Sequence, residues 1–440
     1  MLTVEENHEL TRVGAGTPMG ELMRRYWHPV ATSQDLKQNP VRSVRILGEA
    51  LTLYRDRRGR LGLIGQRCAH RRVDLKYGIP EEDGLRCPYH GWLYSGEGRC
   101  LEQPAEAAGT EFQKSIKLPS YPVEELGGLV WAYLGPQPAP LLPRWDLFVA
   151  ENAFRQIGST IVPCNWLQCQ ENAVDTVHTE WAHGRFGLYA CERKGIDDPE
   201  TIARFKRISR HHVKINFAPV PIGIQKYRLV EGENEDTEAW RVGHPMVFPN
   251  YVRITQLGYA EFQMRIPLDD THTWHIAYHA YFPGAKVDVP IQDPVPVFDV
   301  PIEELPDFVL GQDLICWVAQ GDIHDRSQEQ LGTSDRGLIM FRKMLQEQIK
   351  VVQQGGDPIN TFRDPEKNQC IVIEHENRGS IANYRKGSVR YMNLGGTLSP
   401  VIDTLDELMM QGAEAAKADA RSASAKSDRL EAVGSDNEGS

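Results

Sequence analysis

Cys68-Ala69-His70 and Cys87-Pro88-Tyr89-His90-Gly91-Trp92, with sixteen residues between the first histidine and the second cysteine, decide the reading of the first third of the chain. Two Cys–His pairs on two separate loops suit a two-iron, two-sulfide cluster in which one iron takes both thiolates and the other both imidazoles. Each loop then gives one ligand to each iron. Neutral imidazoles in place of two thiolates leave such a cluster less anionic, which raises its potential. Gly91 would let backbone N–H groups approach the sulfurs, and Trp92 would shield the cluster from water. A Cys₂His₂ zinc site could use the same residues, although zinc fingers usually pair Cys with Cys and His with His. Four unrelated core residues are the remaining reading. Cys100, Cys164, Cys169, Cys191, Cys316 and Cys370 show no ligand spacing and read as buried free thiols.

Around these loops the text from Val41 to Ala132 reads as short strands (VRILG, LTLYRD, LGLIG, GGLVWAYLG) punctuated by turns, which predicts a small all-β domain over 41–135. Before it, Thr17-Pro18 ahead of GELMRRYW signals a helix start, within an N-terminal helical segment 1–40. After it, PQPAPLLPRW (136–145) reads as a linker, because clustered prolines cannot continue a sheet. A larger domain follows over 146–410. It has a helix-like stretch from Trp166 to His183, a β region in which EFQMRIPL and HTWHIAYHAYF form a hairpin across Asp269-Asp270-Thr271, and helical periodicity near Gly311–Gln320 and Gly337–Gln354. The Ala/Ser-rich residues 411–440 are expected to begin as a short helix and end as a disordered tail. The fold class is therefore α+β.

The 440 residues carry a formal charge of −11, with 41% hydrophobic and 25% charged residues. An acidic chain does not suit a nucleic-acid binder. The polar start MLTVEENHELTR lacks a signal-peptide layout, and no apolar run reaches the ~20 residues a bilayer requires. Eight cysteines are too sparse for a disulfide scaffold, so a reducing cytoplasm is expected.

A second constellation lies in Asn172-Ala173-Val174-Asp175-Thr176-Val177-His178, continuing to His183-Gly184. On a helix Asp175 and His178 share a face, so the carboxylate can orient the imidazole. His178 and His183 are five apart, about 140° around an ideal helix, too wide for two ligands on one face. The conflict eases if His183 occupies a loosened final turn that Gly184 ends. Two histidines and a carboxylate suit non-haem Fe(II), because a facial triad leaves positions open for dioxygen. An ordinary polar helix is the alternative.

Cys68-x-His70…Cys87-x₂-His90-Gly91-Trp92 followed by Glu171-Asn172…Asp175-x₂-His178-x₄-His183 resembles the oxygenase (α) component of the Rieske non-haem iron aromatic-ring oxygenases, over about Gly16 to Leu345. Within that family it is most similar to the branch containing phthalate dioxygenase and 5,5′-dehydrodivanillate O-demethylase, through LTRVGAGTPMGELMRRYWHPVA, Asp269-Asp270-Thr271-His272-Thr273 and QDLICWVAQGDIHDRSQEQLGTSDRG. The resemblance implies a Rieske domain and a helix-grip (START-like) catalytic domain, an antiparallel sheet flanked by helices. It implies a [2Fe–2S] cluster on Cys68, His70, Cys87 and His90, and a mononuclear iron on His178 and His183. Asp175 would bridge to a cluster histidine of a neighbouring subunit, and Asn172 matches the family's Asn near the iron. Asp313, expected at the start of a late helix, matches the third iron ligand, with Asp307 and Asp322 as lesser candidates. His324-Asp325 is expected to be structural or at a subunit contact.

The chain holds no flavin or nicotinamide motif, so the resemblance implies a separate NAD(P)H reductase, an iron–sulfur flavoprotein, and a homotrimer or stacked hexamer with transfer between subunits. The implied activity is oxidation of an aromatic acid with O₂, by O-demethylation or ring dihydroxylation, in aromatic catabolism. An aromatic carboxylate needs a cationic anchor, for which Arg204, Arg207, Arg210 and Arg241 are candidates, and Phe186, Leu188 and Trp317 could line a ring pocket. A Rieske electron carrier without oxygenase activity and a zinc-stabilised binding protein are the competing readings.

Overall fold

In the computed structural model, residues 2–107, 110–299, 309–376, 379–391 and 398–435 are described. The strand-like text after Val41 folds as expected into small antiparallel sheets, one ordered Val41–Ile46, Glu49–Arg55, Leu61–Gly65, Ser120–Tyr121 and another Ile79–Pro80, Leu85–Arg86, Leu93–Tyr94, Cys100–Glu102. A third corrects the expected boundary at residue 40. Trp27–Thr32, placed in the helical segment by sequence, is a fully buried strand paired with Leu129–Tyr133. Its aromatic and β-branched side chains favour that setting, and Pro29 is accommodated where the register slips between Pro29 and Ala31. The helix Pro18–Met23 starts as read, with Thr17 Oγ1 accepting from the Gly20 N–H at 3.1 Å.

The proline-rich stretch is no free tether. Leu141 N–H donates to the Phe362 carbonyl (2.8 Å), Asp146 N–H to that of Ile371 (3.0 Å), and the Asn368 amide to that of Leu142 (2.9 Å). A returning C-terminal segment thus clamps it.

The larger unit is built on one eight-stranded sheet, in the order His212–Val220, Gly223–Val230, His244–Val247, Tyr251–Gln256, Tyr259–Pro267, Thr273–Tyr281, Phe154–Val162, Val297–Asp299. All neighbours are antiparallel except the last pair. The expected hairpin pairs Tyr259 with Tyr281 through to Pro267 with Thr273. Helices Val309–Val318 and Arg336–Gln353 pack on this frame. One apolar core joins the N-terminal helices, the first β domain and the large sheet.

The end of the chain departs from expectation. One helix runs Ile402–Ser435 across the proposed boundary at 410. Leu405, Leu408, Met409 and Ala413 bury against Tyr259, Tyr281 and Val287, and the good helix formers beyond them propagate the packed turns at little cost. Residues 436–440 lie outside the described residues.

Candidate metal centres

The first Cys–His loop turns tightly, Arg72 N–H donating to Cys68 O (3.0 Å), and the second likewise, Gly91 N–H donating to Cys87 O (3.1 Å) with φ of 75° at the glycine. Both cysteines are buried; His70 is exposed and His90 half-buried. The imidazoles lie together at the surface, ring centroids 4.5 Å apart, and the Trp92 ring stacks on His70 at 4.7 Å and 5°. The indole therefore covers one face of the otherwise exposed His70 ring. Sequence reasoning passed over Tyr94, two residues beyond Trp92 and so on the same side of the strand. Its hydroxyl accepts from the Ala69 N–H (3.1 Å) and donates to Cys68 Sγ (3.2 Å), a bond that stabilises a thiolate. Burial, and then the neighbouring Cys68 sulfur, push the Cys87 thiol up against the Tyr89 and His90 N–H groups, so two thiolates here call for a cation between them.

Among the described residues, only His178, His183 and Asp313 bring three metal-ligating atoms within 4.8 Å of one another. Cys68, His70, Cys87 and His90 do not converge on one point in that way. Two buried sulfurs with two imidazoles beside them at the surface have the donor set of a two-iron, two-sulfide cluster.

The second centre has a local geometry that sequence periodicity could not show. The helix Trp166–Glu171 gives way after Val174, and Asp175 is extended (φ −95°, ψ 131°), so Asp175 and His178 do not meet on a helical face. They meet through a turn: Asp175 Oδ1 accepts from the Val177 N–H (2.8 Å), and Oδ2 lies 3.3 Å from His178 Nδ1. Thr179–Arg185 is π-helical, and i→i+5 bonding brings residues five apart to one side. The His178 and His183 rings stand 5.1 Å apart at 81°. Gly184 does not end the helix, which continues over Phe186–Lys194 to Gly195. Its role is clearance, since a Cβ at Gly184 would lie 2.5 Å from Ser209 backbone atoms.

Asp313, the fifth residue of Val309–Val318 and not its first, reaches both rings: Oδ1 lies 3.2 Å from His183 Nε2 and 3.5 Å from His178 Nε2. Asn172 Nδ2 donates to the same oxygen (3.0 Å). Gln312 Oε1, 3.1 Å from His183 Nδ1, fixes the tautomer that leaves Nε2 free for a metal, as Asp175 does for His178. Burial would raise the Asp313 carboxyl, but the two imidazoles and Asn172 overcome it and hold the group down at about 2. Asp175 is likewise lowered: His178, the Val177 N–H and Lys226 outweigh burial. Two nitrogens and an anionic oxygen, each with its second side held, fit a facial iron site.

Asp307 lies outside the described residues, and Asp322 contributes its carbonyl to the Asn165 N–H (2.8 Å). His324 bonds Glu329 (2.9 Å) and Asp325 bonds Ser327, both structural. Cys100, Cys164, Cys169 and Cys191 are buried free thiols as read, but Cys316 and Cys370 are exposed, on an outer helix face and in a loop.

The triad opens onto a cavity of about 1030 Å³. Arg204, Arg207 and Arg210 line it; Arg241, at the exposed end of the short helix Glu238–Arg241, does not. Lys226 and Arg228, on a strand that sequence reading left unassigned, line it as well. Phe186 and Leu188 face elsewhere and Trp317 is core, so the apolar wall comes instead from Phe205, Ile208, Val252 and Ile254. Strand alternation carried that signal, but without pairing partners the inward face was not identifiable.

Comparison with known proteins follows the same lines. The family model described as Rieske [2Fe-2S] domain matches residues 26–122, and one described as LigXa C-terminal domain like matches residues 302–377. The chain is 37% identical to the 5,5′-dehydrodivanillate O-demethylase oxygenase subunit of Sphingobium sp. (strain NBRC 103272 / SYK-6), over 87% of this chain and 88% of that one. It is 32% identical to the phthalate 4,5-dioxygenase oxygenase subunit of Pseudomonas putida, over 82% and 89%. The solved structure of NdmA from Pseudomonas putida CBB5 with caffeine shares the fold, with a TM-score of 0.56 at 19% identity, over 82% of this chain and 98% of that one. With a Rieske domain model matched and relatives aligned along most of their length, the chain belongs to the Rieske non-haem iron oxygenases, as an oxygenase subunit carrying a [2Fe–2S] cluster and a mononuclear iron.

Proposed function

We propose that this subunit oxidises a methoxylated aromatic acid by O-demethylation. The observation that carries the reading is a two-histidine, one-carboxylate set at the wall of a large cavity whose rim carries Arg204, Arg207 and Arg210. The relative at 37% identity, named for O-demethylation of a two-ring aromatic acid, favours that outcome over ring dihydroxylation. In this reading Cys68, His70, Cys87 and His90 hold the cluster, and His178, His183 and Asp313 hold the iron. When bound, these groups supply single electrons and an open position for dioxygen. Asn172 steadies Asp313 and Gln312 steadies His183. Asp175, hydrogen-bonding His178 and with 35% of its side chain exposed, is in this reading the contact through which a neighbouring subunit's cluster histidine is reached.

No helix among the described residues is long and apolar enough to cross a membrane. A cytoplasmic homotrimer or stacked hexamer, served by a separate NAD(P)H-dependent reductase, completes the proposal. A bare electron carrier leaves the cavity and triad without a role. A zinc protein would be colourless with stoichiometric zinc, where red-brown material is expected. The deciding experiment supplies methoxylated and dicarboxylated aromatic acids with a surrogate reductase. Formaldehyde in proportion to substrate consumed is the expected result; a diol without formaldehyde overturns demethylation in favour of dihydroxylation.

A further inference from the structure

The cavity floor holds a carboxyl that the iron site does not use. Glu261, Gln263 and Arg265 project from one face of the strand Tyr259–Pro267 into the cavity, alongside Asp313. Arg265 interacts electrostatically with Asp313 as well as with Glu261, and so stands between the iron end and Glu261. Four residues along the same face place Glu261 roughly 13 Å away along the strand. That span exceeds one aromatic ring.

Glu261 is only 4% exposed and has no Lys or Arg within ion-pair distance among the described residues; its nearest basic group is His279 Nδ1, 3.7 Å away. That histidine is neutral, since burial lowers it to about 3. The chain of donors is directed: His279 Nδ1–H to Tyr259 Oη (2.8 Å), and Tyr259 O–H to Glu261 Oε2. His279 Nε2, fully buried, has no hydrogen-bond partner among the described residues. Arg265 Nη2 donates to Gln263 Oε1 (2.8 Å). A buried carboxyl held by Tyr259, with no Lys or Arg close enough to form an ion pair among the described residues, is costly unless something on its open side uses it. Burial raises it to about 7 against the pull of Tyr259, Gln263 and Arg265, so its carboxylate form, present from neutral pH upward, gains from a donor on its open side.

We propose that Glu261, braced by Tyr259 and His279, is a specificity-determining residue that accepts a hydrogen bond from a ring hydroxyl of the substrate, remote from the iron. The inference rests on the aromatic-acid reading and narrows it to phenolic acids, with two-ring acids spanning the floor. It requires no change in the chemistry at the iron.

The test is calorimetric binding to the intact iron-loaded protein, with matched ligands differing in one hydroxyl. The one-ring pair is 4-hydroxy-3-methoxybenzoate and 3-methoxybenzoate; the two-ring pair is 5,5′-dehydrodivanillate and its deoxygenated counterpart. The wild type is expected to favour the hydroxylated member by at least about tenfold in one pair or both, because removing a hydroxyl leaves the buried carboxyl unmatched. Glu261→Gln should cut that preference to below about threefold, with wild-type melting temperature and cluster spectrum. Tyr259→Phe, which loosens the brace but keeps the carboxyl, should fall between. A loss of affinity equal for both members would show a structural role only and overturn the proposal. Acids bound regardless of hydroxyl by the wild type overturn it while leaving the aromatic-acid reading intact. Binding of none of the four overturns both.

Discussion

At the scale of single residues, the second centre depends on a division between ligands and the side chains that aim them. On the proposed assignment His178 and Asp313 hold the iron, so His178→Ala or Asp313→Ala should abolish turnover while the visible spectrum of the cluster stays at wild-type intensity. Loss of both signals together would place the iron elsewhere. Gln312 aims, since its contact with His183 Nδ1 fixes which ring nitrogen is free. Gln312→Leu should lower iron affinity about 10–100-fold, measured by chelator competition, and added ferrous iron should restore activity. Unchanged affinity would show that His183 needs no such partner. The residues that announce themselves in sequence are those of unusual type at unusual spacing, Cys68 to His90 above all. Gln312 and Tyr94 are ordinary residues made important only by contacts across 129 and 26 positions of chain.

At the scale of elements, the π-helical turn Thr179–Arg185 is what brings two histidines five apart to one side. Sequence spacing exposed the problem, because an ideal helix separates them, but it did not reveal the solution: an i→i+5 turn has no composition of its own. Gly184 was legible as special for a different reason than the one that holds. It admits the backbone of Ser209 at the end of the helix Pro199–Ile208. Gly184→Ala should therefore destabilise the chain by about 1–3 kcal/mol through overpacking and reduce iron occupancy, with the cluster unaffected. A melting curve and iron count equal to wild type would show that the two helices separate freely. The terminal helix teaches the complement. The Ala/Ser-rich text from 411 reads as a short helix ending in a disordered tail, yet Leu405, Leu408 and Met409, just before it, supply an apolar stripe that anchors one helix through to Ser435.

At the scale of the whole molecule, a buried ionic network ties the chain's start to its catalytic helices. Glu171 accepts from Arg326 (2.7 and 2.8 Å) and Arg342 (2.7 Å), Arg342 grips Glu329 (2.6 and 2.7 Å), and Arg326 reaches Asn7 (3.1 Å). Glu171→Ala leaves the buried Arg326 guanidinium without a carboxylate, removes one of the two that Arg342 meets, and should cost about 3–5 kcal/mol of stability in denaturant unfolding. A cost near zero would show the cations find other partners. Glu329 adds a pH dependence. Burial opposes its charge, but Arg342 and His324 lower it from 4.5 to about 2. Its contribution is complete above the unfolded value and lost as pH falls through the folded one, so stability should decline between about pH 4.5 and 2 more steeply in the wild type than in Glu329→Gln. Parallel slopes in acid titration would contradict that. Asn7 and Glu171 lie more than 150 residues from Arg326, Glu329 and Arg342, which is why the network was illegible in the sequence.

The account stands on two separate iron centres in one chain. Its most direct test is paired iron and acid-labile sulfide analysis of anaerobically reconstituted protein. About three irons and two sulfides per chain are expected, falling to about two irons with sulfide unchanged in the His178→Ala/Asp313→Ala double variant. Iron that stays at the wild-type level in that variant, or sulfide that falls with it, would contradict the account.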